Sequence, residues 1–260
     1  MTEPHHQARK RFGQNFLVDS HYINLILQAI QAKADDHLIE IGPGKGAITT
    51  LLLKQLHHLE VIELDRDLIP QLALLPSAPN QLTIHQADAL KFDYASLYQG
   101  KPMRLVGNLP YNISTPLLFH LLKQSSLIQD MHFLLQKEVV DRIAAKPGSG
   151  TYGRLSVMMQ YFCAPLPLFG IPPGAFRPVP KVDSTFIRLV PHTDLPYIAK
   201  DWTYFSHLVV KSFSQRRKRL ANAAKGLITD NQLEKLGLDK NVRAEEVSLE
   251  QFVALANMAD

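Results

Sequence analysis

The chain has 260 residues, of which 46% are hydrophobic and 20% charged, and its formal net charge at pH 7 is +4. These values are typical of a soluble globular protein with one large domain, or one domain and a small appendage. A single cysteine, Cys163, excludes an intramolecular disulfide framework. Because the amino terminus is polar and no run reaches roughly 18 apolar residues, we expect no signal peptide, no membrane span and a cytoplasmic protein.

The amino-terminal third predicts a strap, a helix and then a glycine loop. Residues 9–17 mix cations, two phenylalanines and a glycine, which favours an ordered strap over a helix. Apolar residues from Ile23 to Ile30 recur at the spacing of one buried helix face. A first strand, residues 37–41, then runs into the glycines of residues 42–46, which let the backbone approach a ligand at the start of the next helix.

Strands then alternate with helical segments, and polar residues follow the ends of the strands. The predicted strands are residues 37–41, 59–63, 82–85, 103–108 and 131–136. This alternation predicts an α/β domain with a doubly wound parallel sheet. In such a sheet, ligands bind at the carboxyl ends of the strands.

After residue 136 the α/β pattern continues to residue 190, and the composition changes from a plausible linker at residues 191–196 onward. A helix is expected over residues 137–145, and residues 155–162 are either a helix or a buried segment. The proline-rich stretch 172–180 predicts a stiff loop that presents Phe176, and residues 182–190 alternate as a terminal strand does. From residue 201 the apolar spacing is helical, including a predicted helix over residues 220–227. We therefore expect a Rossmann-like domain over residues 1–192 and a small α-helical domain over residues 193–260.

The glycine loop alone leaves two cofactors open. Gly42, Gly44 and Ala47 formally fit a dinucleotide fingerprint, and the same loop fits an S-adenosylmethionine site equally well. The acidic residues at successive strand ends favour S-adenosylmethionine, because Glu63 can accept from both ribose hydroxyls and Asp88 from an adenine amino group. A nicotinamide-dependent oxidoreductase remains a rival that calorimetry with both cofactors would test.

The fourth strand ends in Asn108, Leu109, Pro110 and Tyr111. Proline stops the strand and holds Leu109 extended, so that nearby carbonyls remain free to accept hydrogen bonds. The Asn108 amide oxygen and the carbonyl after it suit the two N–H groups of an exocyclic amine. Tyr111 offers a face on which a base stacks, and Phe176 could close the other side. The pattern predicts methyl transfer to the nitrogen of an unpaired or extruded base.

Four motifs in order carry a resemblance to a known family: residues 11–17, 40–46, 108–111 and 176–184. With them the chain closely resembles the ribosomal RNA adenine dimethylase family, in particular its bacterial small-subunit (16S) branch. The resemblance covers nearly the whole chain. It implies a class I S-adenosylmethionine-dependent methyltransferase fold. It also implies N6-dimethylation of two adjacent adenosines in a hairpin loop near the 3′ end of 16S rRNA, late in small-subunit assembly.

The resemblance also assigns roles to individual residues. The donor site comprises Asn15, Leu17, Gly42, Gly44, Glu63, Asp88 and Asn108. The catalytic and target-base residues are Asn108, Leu109 through its backbone, Pro110, Tyr111 and Phe176. The basic run that contacts rRNA comprises Arg216, Arg217, Lys218 and Arg219, and a second cationic cluster stands at residues 9–11.

Two further alternatives stay open. A large-subunit rRNA methylase of the macrolide-resistance type shares fold and reaction, but such enzymes resemble Asn-Ile-Pro-Tyr where this chain has Leu109. A non-catalytic RNA-binding assembly factor could retain the same fold. We expect a monomer. We also expect no metal site, because the histidine pairs at residues 5–6 and 57–58 lack partners at ligand spacing.

Overall fold

The computed structural model describes residues 14–215 and 217–259. The cationic cluster at residues 9–11, the first part of the expected strap and Arg216 lie outside the described residues. Within the described chain, the backbone forms two compact units. Residues 14–140 and Leu166–Pro191 make the first unit, and Asp141–Pro165 joins the residues from His192 onward in the second.

These units differ from the prediction, which divided the chain once, at residue 192. The segment Asp141–Pro165 belongs to the second unit because the helix Arg154–Phe162 within it packs against helices of the carboxyl-terminal region. The sequence pattern left residues 155–162 open between a helix and a buried segment, and the structure makes them a helix.

Among the described residues, seven strands form one sheet and two short strands form a separate ladder. In chain order the strands are β1 Phe16–Leu17, β2 Leu38–Ile41, β3 Leu59–Glu63, β4 Leu82–Gln86, β5 Met103–Asn108, β6 Ile128–Gln136, β7 Cys163–Ile171, β8 Phe176–Arg177 and β9 Ser184–Pro191. The large sheet has the order β4-β3-β2-β5-β6-β9-β7, and β1 pairs with β8.

The first five strands of that order run parallel, as predicted. The sheet is nevertheless mixed, because β9 runs antiparallel to β6. Strand β7 was not predicted, because its two prolines, Pro165 and Pro167, remove ladder donors and argue against a strand. The expectation of an entirely parallel sheet was therefore right for the part that carries the polar strand ends.

Eleven α-helices lie in the described residues. They are α1 Ser20–Ile30, α2 Thr49–Leu52, α3 Ile69–Ala73, α4 Ala78–Gln81, α5 Ser114–Leu122, α6 Lys137–Ile143, α7 Arg154–Phe162, α8 Trp202–Phe213, α9 Leu220–Ala223, α10 Asp230–Lys235 and α11 Leu249–Ala256. The predicted helix over residues 220–227 is shorter than expected: Ala224 already departs from helical geometry, and Gly226 has a positive φ of 85°, which does not allow the helix to continue to residue 227. No helix among the described residues has the length and apolar character needed to cross a bilayer.

The cores follow the apolar spacing of the sequence. Asp19 caps α1 by accepting from the backbone N–H of His21, and the predicted face from Ile23 to Ile30 is buried in the core of the first unit. In the second unit, α8 buries Phe205, Leu208 and Val209 and packs against α7, α9 and α11.

The strand order places a ligand site. From β2 the chain moves outward to β3 and β4, and then returns to β5 on the other side of β2. The order therefore reverses between β2 and β5, and open α/β sheets bind ligands at the carboxyl ends of strands at such a point. The two strands approach closely there, because a Cβ at Gly107 of β5 would lie 2.4 Å from the backbone oxygen of Ile41.

Candidate active site

A cavity of about 260 Å³ lies at this edge of the sheet in the first unit. Its walls are strap residues 14–16, the glycine loop after β2 and the segments that follow β3, β4 and β5. Most of the expected donor and base residues line it: Asn15, Gly42, Gly44, Glu63, Asp88, Asn108, Leu109, Pro110 and Tyr111. The carboxyl ends of four parallel strands therefore bring together residues that are up to 96 positions apart in the chain, from Asn15 to Tyr111.

The glycine loop needs glycine for its shape. Gly42 and Gly44 have positive φ angles of 68° and 58°. A Cβ at Gly44 would also approach the ring of Phe16 to 3.0 Å, so a side chain there meets the strap. The loop thus lets a ligand reach the backbone closely at the end of β2.

Glu63, at the end of β3, has the geometry of a hydroxyl acceptor. Its two carboxylate oxygens accept from the backbone N–H groups of Gly44 at 3.2 Å and of Asp65 at 2.8 Å. Burial raises the pKa of Glu63 even though these two donors favour the charged form. Each carboxylate oxygen has a further lone pair, so both can accept from a pair of ribose hydroxyls as well.

Asp88 follows β4 and is partly buried at the cavity wall. Its Oδ1 accepts from the backbone N–H of Leu90 at 3.0 Å, which fixes the orientation of the carboxylate. The other oxygen can accept from an adenine amino group. Glu63 and Asp88 together provide acceptors for both halves of an adenosine, so the residues present fit an adenosyl donor.

The strap is attached to the ends of β5 and β3. The Asn108 amide nitrogen donates to the backbone oxygen of Asn15 at 2.8 Å. The Gln14 amide nitrogen donates to the carboxylate of the buried Asp65 at 3.0 Å. Since the nitrogen of the Asn108 amide is directed to the strap, its oxygen is the amide atom available as an acceptor in the cavity.

The residues after Asn108 have two roles: some pack against the rest of the protein, and others present side chains at the cavity. The Leu109 side chain is buried, and its backbone N–H donates to the oxygen of Leu134 on β6 at 3.2 Å. Tyr111 is partly buried, and its hydroxyl lies 2.7 Å from Oγ of Ser184. Burial raises the pKa of Tyr111, so the phenol is neutral at physiological pH.

Phe176 occupies a different place from the one expected. Its side chain is 0% exposed and packs in the hydrophobic core with Leu17, away from the residues that line the cavity. The reason is the β1–β8 ladder, in which Leu17 pairs with Phe176 and both side chains point into the core. In this structure the stiff loop therefore does not present the Phe176 ring to a base.

Leu17 borders a second cavity of about 290 Å³, which shares Phe16, Gly42, Gly44 and Asn108 with the first. Glu40, at 2% exposure, lies in its wall and accepts from the Thr49 hydroxyl at 2.7 Å. Burial raises the pKa of Glu40 to about 7, and the nearby Glu63 adds to this effect.

The sequence pattern placed Glu40 in the motif of the S-adenosylmethionine loop, but it gave no role at the site to Gln14, Asp65 or Ser184. Asp65 stands two residues after a strand end, where the convergence of parallel strands could have indicated it. Ser184 and Gln14 reach the site only through tertiary contacts over 73 and 51 residues, and no local signal announces such partners.

The basic run lies in the second unit. Arg217 and Lys218 are exposed and Arg219 is partly buried, while Arg216 is outside the described residues. Arg219 forms an isolated antiparallel bridge with Arg243, which brings a cation from a later segment beside the run. Exposed cations grouped in this way suit contact with nucleic-acid phosphates.

Comparison with protein families gives one match over nearly the whole chain. The model of the ribosomal RNA adenine dimethylase family matches residues 5–260. A relative from Marinobacter nauticus, named ribosomal RNA small subunit methyltransferase A, is 53% identical over 99% of this chain and 94% of its own. A relative of the same name from Shewanella oneidensis is 50% identical over 97% of this chain and 95% of its own.

Solved structures agree on the fold. A dimethyladenosine transferase from Plasmodium falciparum superposes with a TM-score of 0.78 at 24% identity, over 92% of this chain and 95% of that one. The 23S rRNA methyltransferase ErmE superposes with a TM-score of 0.74 at 23% identity, over 93% of this chain and 98% of that one. Identities this low show a shared fold, the Rossmann-like fold of class I methyltransferases.

Proposed function

This chain belongs to the ribosomal RNA adenine dimethylase family, and on that premise we propose how its first unit performs the reaction. The protein is an S-adenosylmethionine-dependent methyltransferase that dimethylates adenine in ribosomal RNA. Its substrate within the ribosome and the roles of its individual residues are the subject of the proposal.

The substrate we propose is 16S rRNA in the small ribosomal subunit. Relatives that are 50–54% identical over nearly the full chain carry the name of a small-subunit methyltransferase, which favours this RNA over that of the large subunit. The proposed targets are two adjacent adenosines in a hairpin loop near the 3′ end, modified late in subunit assembly. We further propose that the protein acts in the cytoplasm and as a monomer.

The donor is held at the carboxyl ends of β2, β3 and β4. S-adenosylmethionine supplies a methyl group that its sulfonium has already activated. Glu63 accepts from the ribose hydroxyls, Asp88 accepts from the adenine amino group, and Gly42 and Gly44 admit the donor close to the backbone. The strap residues Asn15 and Leu17 complete the site from the other side.

The target base is held at the end of β5. The Asn108 amide oxygen and the backbone carbonyl that follows accept the two N–H groups of the N6 amine. This favours a more pyramidal, electron-rich nitrogen in the transition state. Tyr111 holds the base by stacking on its ring, and the base must be unpaired or extruded from a helix to enter. Catalysis then depends mainly on alignment of the amine with the methyl group.

One observation carries this assignment. The Asn108 amide is oriented by the Asn15 carbonyl, so its oxygen is available at the strand end beside the glycine loop. A Cβ at Gly42 would lie 3.9 Å from the backbone oxygen of Asn108, so the glycine loop and the end of β5 are neighbours.

The test is a labelled-methyl transfer assay with unmethylated small subunits, large subunits and protein-free rRNA, followed by mapping of the modified base. We expect label on N6 of two adjacent adenosines of 16S rRNA in the small subunit. Label confined to large subunits would contradict the proposed substrate. Binding to small subunits without any label would favour the non-catalytic assembly factor.

The basic run gives a separate test of RNA binding. The double variant Arg217→Ala with Lys218→Ala should weaken binding to small-subunit RNA and lower the log–log salt slope by about 1.4 to 1.8, because each phosphate contact contributes about 0.7 to 0.9. Calorimetry should show unchanged affinity for the donor. The matched control removes two exposed lysines of the first unit, Lys33→Ala with Lys54→Ala. An equal change of the salt slope in the control would mean that the basic run is an ordinary solvated surface without a specific role in RNA binding.

A further inference from the structure

We propose that Ser184 is a positioning residue for the target base, which acts by fixing the ring of Tyr111. The inference rests on the proposed function, because it deepens the stacking role given there to Tyr111. Ser184 is the first residue of β9 and is 0% exposed. Its Oγ lies 2.7 Å from the Tyr111 hydroxyl, although the two residues are 73 positions apart in the chain.

Tyr111 is hydrogen-bonded both through its backbone and through its side chain. The Ser114 hydroxyl donates to the backbone oxygen of Tyr111 at 2.9 Å, which helps to fix the main chain from which the side chain projects. Ser184 holds the far end of the side chain through the phenol oxygen. A ring anchored at its tip on a fixed main chain has little freedom to swing, so its face is presented in one orientation before a base arrives.

The scaffold beneath Ser184 is rigid. Ser184 pairs with Gln136, the last residue of β6, and the neighbouring Asp183 accepts from the backbone N–H of Lys137 at 2.9 Å. Tyr111 lies just beyond the end of β5. Strand β6 lies between β5 and β9 and pairs with both of them. The hydrogen bond between Tyr111 and Ser184 therefore connects a residue of the cavity wall to the first residue of β9, two strands away from β5 in the sheet.

The chemistry of the pair suits positioning and gives no role in proton transfer. Burial raises the pKa of Tyr111, so its O–H stays protonated, and a serine hydroxyl does not titrate in the physiological range. Neither group needs to change state during the reaction. What the bond supplies is the angle of the ring face relative to Asn108.

The test is a double-mutant cycle on single-turnover methylation of small subunits, with Ser184→Ala, Tyr111→Phe and the two combined. Each single variant should lower the rate about 3- to 10-fold, the range expected for one hydrogen bond. The combined variant should be no slower than the slower single variant, because both changes remove the same bond. Tyr111→Ala should be about 10- to 100-fold slower than wild type, since it removes the stacking face as well.

Controls separate positioning from a general loss of stability. Ser184→Thr keeps the hydroxyl and should restore most of the rate. Ser212→Ala removes another buried serine hydroxyl, in the second unit, and should leave the rate at the wild-type value. Donor affinity by calorimetry should be the same in every variant, whereas a merely destabilised site would lose it.

The failures are distinguishable. A wild-type protein that methylates no adenine overturns the proposed function itself. A wild-type rate in Ser184→Ala, with Tyr111→Ala slow as expected, overturns only the inference about Ser184. Losses that multiply in the combined variant overturn it too, because Ser184 would then act through some contact other than Tyr111.

Discussion

The two ends of β5 differ sharply in how they use polar groups. Near its amino end, the buried Arg104 donates to both oxygens of Asp130 at 2.9 and 3.1 Å and to Asp36 at 2.7 Å. It also donates to the backbone oxygen of Ile30 at 2.7 Å. At the carboxyl end, four residues later, Asn108 directs its amide nitrogen to the strap and leaves its oxygen at a cavity.

The comparison shows how one strand serves both stability and chemistry. The charges around Arg104 and Asp130 satisfy one another and leave little capacity for a ligand, as buried charges must if they are not to destabilise the fold. The acceptors around Asn108, Glu63 and Asp88 are fixed in orientation but keep free lone pairs. Substitutions at the two ends should therefore separate stability from activity.

The largest effect is expected at the amino end. Asp130→Ala leaves the Arg104 guanidinium buried beside one fewer carboxylate, and should lower the free energy of unfolding by about 3 to 5 kcal/mol. Urea unfolding followed by circular dichroism measures this, provided the slope with denaturant is unchanged. Arg188→Ala is the matched control. It contacts the same carboxylate, but its side chain is 41% exposed, so the loss should be below about 1 kcal/mol. Equal losses would mean that burial of the charge is not what matters.

At the carboxyl end, Asn108→Ala should slow methyl transfer by about 10²- to 10³-fold, the usual result of removing one group that stabilises a transition state. Its free energy of unfolding should stay close to the wild-type value. A substitution at the carboxyl end of β5 would then lower activity, whereas one at the amino end lowers stability. Asn108→Asp provides the sharper contrast, because it keeps an acceptor and replaces the donor to the Asn15 carbonyl with a second oxygen. We expect it to weaken donor binding in calorimetry; unchanged affinity would contradict the attachment of the strap.

The pH dependence of stability also originates on the ligand side of the sheet, at Glu40 of β2, which lies in the wall of the second cavity. Burial raises the pKa of Glu40 from 4.5 to about 7. The folded state therefore binds this proton more tightly than the unfolded chain, so its contribution is full below pH 4.5 and is lost as pH rises to 7. The loss is about 3 kcal/mol. Glu40→Gln should remove this slope from urea unfolding series between pH 4.5 and 7, while Glu63 leaves a smaller residual slope. An identical pH profile in both proteins would show that Glu40 does not carry the effect.

The smallest of these effects is expected at Gly107, which lies within β5. Gly107→Ala places a Cβ 2.4 Å from the backbone oxygen of Ile41, so β2 and β5 must separate slightly, at a cost of about 1 to 3 kcal/mol. Because the same shift moves the glycine loop relative to Asn108, turnover should fall as well. Gly170→Ala is the control, since its Cβ would find its nearest neighbour at 3.9 Å. A full retention of activity in Gly107→Ala would show that the approach of the two strands does not set the site.

Much of the site was predictable because its residues follow a local rule. The structure gives β3 and β5 the predicted bounds, Leu59–Glu63 and Met103–Asn108, since each is a short, largely apolar run that ends in a polar residue. Once those strands are parallel, Glu63 and Asn108 must lie at one edge of the sheet. No comparable rule identifies Ser184 as the partner of Tyr111, or Asp130 as the partner of Arg104.

The misplaced elements have physical reasons of the same kind. The prolines of β7 concealed a strand that lies at the end of the sheet order, where missing donors are tolerated. Phe176 was expected at the surface of a stiff loop because local composition does not reveal the two-residue ladder with Phe16–Leu17, some 160 residues earlier. Pairings over that distance are decided by tertiary packing.

The hydrogen bonds from the Gly44 and Asp65 amides to Glu63 have a consequence for the folding of the protein. The loop after β2 takes its shape from a carboxylate that only the neighbouring strand provides, so this wall of the cavity is completed when β3 docks beside β2. A partly assembled sheet would thus present no receptor for the adenosyl group. Any donor in the cell then selects the finished chain over its folding intermediates and adds its binding free energy to that state alone.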